Sequence, residues 1–126
     1  MSEDGGSITG KVVMGKRIGR TLGFPTANIE ESEPIDRRRG VYAGRICVRG
    51  ESYKCMVNIG SHPTLPEGEP TIEAHIIGFD DDIYGETVSL ELDKYLREER
   101  RFDSVNELIG QLKRDRKQVI AMEDGL

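Results

Sequence analysis

Short runs that alternate apolar and polar side chains, separated by segments rich in glycine and proline, recur through the first three quarters of the chain. A period of two belongs to strands that bury one face and wet the other. Residues 7–14 form the first such run. In residues 40–49, Tyr42, Ile46 and Val48 fall on one face, and Arg45, Cys47 and Arg49 on the other. Gly50-Glu51 reads as a tight turn into residues 52–59, where Tyr53, Cys55, Val57 and Ile59 share a face, a hairpin signal. Residues 71–79 and 86–95 continue the series, the latter through Val88, Leu90 and Leu92.

The period then changes once. Val105, Leu108, Ile109 and Leu112 stand at i, i+3, i+4 and i+7, as an amphipathic helix requires, and Ser104 with Glu107 supplies a capping box. Five or six antiparallel strands followed by one helix predict a mainly β fold, a small closed barrel with a C-terminal helix packed on it. Closure leaves no free strand edge. A length of 126 residues sets the expectation of a single domain over 1–126, with its core at about 7–121.

Composition narrows the function classes. No stretch approaches the roughly 20 apolar residues of a spanning helix, and the acidic, Gly-rich start does not read as a signal peptide. Cys47 and Cys55 lack metal-ligand spacing and are too few for a disulfide framework, so reduced thiols and a cytoplasmic setting are expected. The net charge of −5 makes nucleic acid a poor partner, and no membrane association is expected. That charge is uneven: residues 1–63 carry 10 Lys+Arg against 7 Asp+Glu, and residues 64–126 carry 8 against 16. A small polyanion suits the positive first half.

Four segments could carry chemistry. Gly15-Lys16-Arg17-Ile18-Gly19-Arg20-Thr21-Leu22-Gly23-Phe24-Pro25-Thr26-Ala27-Asn28 has glycines that let backbone approach a ligand, and Arg20 among its cations. It is neither a Walker A loop nor a dinucleotide fingerprint. A plain surface loop fits its composition equally. Thr26 and Asn28 alternate on one side of the stretch after Pro25, so their oxygens could meet at Mg²⁺, although turn chemistry accounts for both. Glu73 lies opposite Ile72, Ala74 and Ile76, with His75 on its own face. Pattern alone favours a polar face in water over a general base. Arg97, Arg100 and Phe102 precede the helix in a charged run that suits either surface ion pairs or a flat heteroaromatic ligand.

Together these segments resemble the riboflavin kinase family. The Gly15–Asn28 stretch has that family's Gly-x-x-x-Gly-Arg-x-Leu-Gly-Phe-Pro-Thr-Ala-Asn signature. Gly40-Val41-Tyr42-Ala43, Val57-Asn58-Ile59-Gly60, Pro63-Thr64, Glu73-Ala74-His75-Ile76, Asp82-Ile83-Tyr84-Gly85, Leu96-Arg97-x-Glu99-x-x-Phe102 and Gln111-x-x-x-Asp115 follow in its order.

The resemblance implies a six-stranded antiparallel Greek-key barrel and an ATP:riboflavin 5′-phosphotransferase that makes FMN. In that case Thr26 and Asn28 hold Mg²⁺, and Glu73 is the general base. Gly15, Arg20 and Gly23 cradle ATP, while Arg97, Arg100 and Phe102 form the flavin side. The two ligands would meet across the barrel mouth. Riboflavin and ATP are the expected partners, and a monomer is the expected state. The competing class is a non-catalytic flavin- or nucleotide-binding module, which has no need of a base at Glu73.

Overall fold

Alternation becomes curvature when every strand buries one face against the same interior. A computed structural model of the chain describes residues 6–13, 26–31, 38–60, 71–79, 81–100 and 102–122. Six strands, β1 (Ser7–Val13), β2 (Ala27–Glu31), β3 (Gly40–Val48), β4 (Glu51–Gly60), β5 (Thr71–Ile76) and β6 (Thr87–Arg97), precede one helix, α1 (Val105–Ala121). They close in the order β1-β2-β5-β4-β3-β6, and each neighbouring pair is antiparallel. Strands β3, β4 and β5 run in sequence and β6 returns beside β3, which is Greek-key order. The mainly β barrel with a C-terminal helix is therefore as expected.

The interior takes every second residue: Ile8 and Val12 from β1, Ile46 from β3, Val57 and Ile59 from β4, and Leu90 from β6 are all buried. Full burial of one such side chain contributes about 1.5–3 kcal/mol, so the apolar half of each strand is what holds the ring closed. Cys55 also faces inward, and burial, assisted by the Asp93 charge, pushes its thiol up to about 12.

Local details shift the expected boundaries. The β3–β4 turn sits at Arg49-Gly50, one residue earlier than predicted, with φ of 52° and 81°. Two left-handed residues in a two-residue loop match the twist of a hairpin. Arg49 tolerates this position with its guanidinium held by Glu86 (2.6 Å) and Asp81 (2.7 Å). Those bonds raise its pKa further and lower that of Asp81. Strand β5 stops at Ile76 rather than residue 79, because a turn with Gly78 at φ 78° follows.

Helix α1 begins at its predicted cap. The Glu107 N–H donates to Ser104 Oγ (3.1 Å), and Glu107 Oε2 accepts from the Asp103 N–H (3.0 Å). At the other end the Lys54 ammonium donates to the carbonyls of Ile120 (3.0 Å) and Met122, opposite the negative pole of the helix. The helix packs outside the barrel, over Ala43 and Met56, through Val119, Ile109 and Leu112. Val105, predicted on the apolar stripe, faces solvent at 57% exposure. Among the described residues no helix is long and apolar enough to cross a membrane.

Candidate active site

One rim of the barrel gathers the functional candidates. Strands β1, β4 and β6 end there, at Val13, Gly60 and Arg97, while β2, β3 and β5 begin there. Residues of the outer face pair across this rim in one transverse row: Asn28 on β2 with Glu73 on β5, Glu73 with Asn58 on β4, Asn58 with Val41 on β3, and Val41 with Arg97 on β6. Side chains directly opposite in an antiparallel pair have Cβ atoms about 4.5–5.5 Å apart. The row therefore sets an amide, a carboxylate and a second amide side by side.

Glu73 is half-buried, and its Oε1 accepts from Thr26 Oγ1 across a long 3.4 Å. Thus Thr26 and Asn28 do come together with Glu73, which stands 47 positions beyond Thr26 in the chain. The expectation of a wholly solvated face fails at His75, which is 7% exposed beside Met56. Asn58 was not singled out from the sequence. Its Oδ1 is buried and has no hydrogen-bond partner among the described residues. The available signal was period two, which sets Asn58 opposite Val57 and Ile59 and level with a strand end.

The far end of the row is tied to the helix. Arg97 reaches Asp115 through Nε (3.1 Å to both carboxylate oxygens) and Nη2 (2.7 Å to Oδ2). Asp115, 2% exposed, also accepts from Gln111 Nε2 at 2.8 Å. Gln111 Oε1 in turn accepts from Arg100 (3.3 Å) and Arg114 (3.0 Å). Arg97 is thus committed to a buried ion pair, and Arg100 and Phe102 stand where the chain enters α1. Asp115 and Gln111 were legible only as part of a motif, without a role.

Two glycines let the rim close. At Gly40 (φ 147°) a Cβ would lie 2.5 Å from the Arg97 carbonyl oxygen, and at Gly60 it would strike the Glu99 carboxylate. Near Gly40, the Arg38 guanidinium stacks 3.7 Å over the Tyr95 ring. Gly15, Arg20 and Gly23 lie outside the described residues; Val13 and Thr26, which bound that segment, are both at this rim.

A divalent cation fits this rim in its chemistry. Thr26 offers a hydroxyl and Asn28 an amide carbonyl, hard oxygens beside a carboxylate that already contacts the hydroxyl. Mg²⁺ takes such a sparse protein set when phosphate oxygens and water complete its shell. Among the described residues no cluster of three His, Cys, Asp or Glu could replace that set.

Known proteins share this sequence and this barrel. The profile described as Flavokinase, riboflavin kinase, matches residues 5–122. The bifunctional riboflavin kinase/FMN adenylyltransferase of Bacillus subtilis is 38% identical over 117 residues, which are 90% of this chain and 37% of that protein. The RNA-binding riboflavin kinase RibR of the same species is 42% identical over 86% of this chain and 47% of its own length. The chain thus spans between about a third and a half of these relatives.

Among solved structures, one described as a macrolide-efflux protein from Streptococcus pneumoniae superposes with a TM-score of 0.85 at 34% identity. It covers 93% of this chain and 39% of that one. The riboflavin kinase of Trypanosoma brucei gives a TM-score of 0.63 at 26% identity, over 92% of this chain and 78% of that one. A sequence match over residues 5–122, carried on the barrel that these structures share, means that the chain belongs to the riboflavin kinase family.

Proposed function

We propose that this chain transfers the γ-phosphate of ATP to the ribityl 5′-hydroxyl of riboflavin, giving FMN and ADP. The observation that carries this reading is the Glu73 carboxylate, half-buried at the rim between Asn28 and Asn58 and in contact with the Thr26 hydroxyl. Phosphoryl transfer asks a protein for alignment and charge compensation rather than covalent chemistry. Glu73 holds the attacking hydroxyl and accepts its proton as the bond to phosphorus forms. Thr26 and Asn28 are the residues that would hold Mg²⁺, which when bound neutralises charge on the nucleotide phosphates.

Gly15, Arg20 and Gly23 are assigned to the nucleotide on their motif. Arg100 and Phe102 are assigned to the flavin, on the helix side of the row. Arg97 serves that side by fixing where the chain turns into α1. The acidic balance favours small molecules over nucleic acid as partners, and the chain is taken to work as a cytoplasmic monomer.

Incubation with riboflavin, ATP and Mg²⁺, followed by chromatography, tests the reading. FMN should form, and Glu73→Gln should lower turnover by about 10²–10⁴-fold while leaving ATP affinity near normal. Flavin binding without FMN would favour a non-catalytic binding module. Near-normal turnover in Glu73→Gln would remove this carboxylate from the mechanism.

A further inference from the structure

Glu73 stands on the middle strand of three, and its two neighbours in the row differ. On the β2 side lie Thr26 and Asn28, which contact or flank the carboxylate. On the β4 side lies Asn58, and beyond it come Val41 and then Arg97 with the start of the helix. A phosphoryl group delivered from the β2 side to a hydroxyl at Glu73 therefore leaves the β4 side for the body of the acceptor.

The Asn58 amide has an unmet requirement there. Its Oδ1 is buried and lacks a hydrogen-bond partner among the described residues. A buried carbonyl oxygen of this kind is costly unless a donor reaches it. The donor cannot come from Glu73, which as a carboxylate only accepts. The Cβ atoms of Asn58 and Glu73 are about one cross-strand spacing apart, roughly 5 Å, so their side-chain oxygens can converge on two neighbouring donors. Hydroxyls on adjacent carbons, reached by two side chains that converge from those Cβ positions, meet this condition.

We propose that Asn58 determines acceptor specificity by accepting a hydrogen bond from the hydroxyl next to the one phosphorylated, so that the site selects a terminal vicinal diol. This assignment rests on the phosphotransferase reading above and adds to it a residue and a substrate requirement. Asn58 acts on the acceptor and not on the nucleotide, so its loss is felt in the KM for flavin and in the choice between acceptors.

The test pairs two acceptors with two proteins. Riboflavin and 4′-deoxyriboflavin are compared as substrates of the full chain and of Asn58→Ala, with flavin affinity followed by fluorescence and folding by thermal denaturation. The wild-type protein should prefer riboflavin by about 10–100-fold in kcat/KM, the range set by an unpaired buried acceptor. Asn58→Ala should lose a similar factor on riboflavin, mainly in KM, and discriminate less than about 3-fold between the two acceptors.

Full discrimination retained by Asn58→Ala overturns the assignment. So does a wild-type protein that uses both acceptors equally, a result that decides the matter even if the variant does not fold. No FMN from riboflavin in the wild type would instead overturn the phosphotransferase reading itself.

Discussion

Removal of the Asp115 carboxylate should unclamp the helix from the rim, at a size that the structure allows to be worked out. Its side chain is 3% exposed and that of Arg97 15%, so neither charge has water to fall back on. Asp115→Ala deletes the acceptor of the Arg97 Nε and Nη2 donors and of Gln111 Nε2. A buried ion pair broken from one side typically costs about 3–5 kcal/mol, because the surviving charge is left uncompensated. The Nη1–Glu98 carbonyl bond of 3.1 Å remains, which places the expected loss near the lower end, about 3 kcal/mol. Against a total stability of about 5–15 kcal/mol, that is a large fraction.

Urea denaturation followed by circular dichroism gives the number, and a thermal scan should show a fall of about 10 °C. The companion variant sharpens the physics. Arg97→Met combined with Asp115→Leu removes both charges and keeps apolar volume, so it should recover most of the loss. An Asp115→Ala cost below about 1 kcal/mol would refute the claim that the pair is a desolvated clamp. A double variant no better than the single one would show that the cost arises from lost packing rather than from an unpaired guanidinium.

Other outcomes follow from the same geometry. Thr26→Ala removes a hard oxygen beside Glu73 and should weaken Mg·ATP binding, measured by titration calorimetry; unchanged nucleotide affinity would count against its metal role. Cys47 is exposed and Cys55 buried with its thiol pushed up to about 12, so a thiol reagent at neutral pH should label one cysteine until the protein unfolds. Because the folded-state pKa of Cys55 lies above the ordinary thiol value of 9.0, the unfolded chain sheds that proton first. The Cys55 contribution to stability should therefore fall between about pH 9 and 12, by about 1.4 kcal/mol per unit, and Cys55→Val should flatten that slope.

Much of the barrel was open to sequence reasoning because period two is a property of neighbours. Tyr42, Ile46 and Val48 share an inward face whatever the strand pairs with, and all three are buried. The helix start was equally local, since Ser104 Oγ accepts the Glu107 N–H and the Glu107 carboxylate accepts the Asp103 N–H. The hairpin turn slipped by one residue because Arg49 occupies a left-handed position that its side-chain type disfavours. What offsets that strain is a set of carboxylates more than thirty positions away, Asp81 and Glu86.

The site divides along the same line. Residue types alone favoured turn chemistry for Thr26 and Asn28 and a solvated face for Glu73, and only the family resemblance gave them roles as oxygen ligands and base. Strand register decided that Glu73 has Asn28 on one side and Asn58 on the other. It also set His75 against Met56, where it is buried rather than solvated. Arg97 shows the limit most sharply: a charged run before a helix looks like surface, yet α1 folds back and buries Asp115 against it. Alternation and capping are fixed within a few residues by backbone geometry, so the chain by itself determined a mainly β barrel and a capped helix. Which polar groups meet, and which are cut off from water, depends on pairings across the closed sheet, and only the tertiary structure decided that.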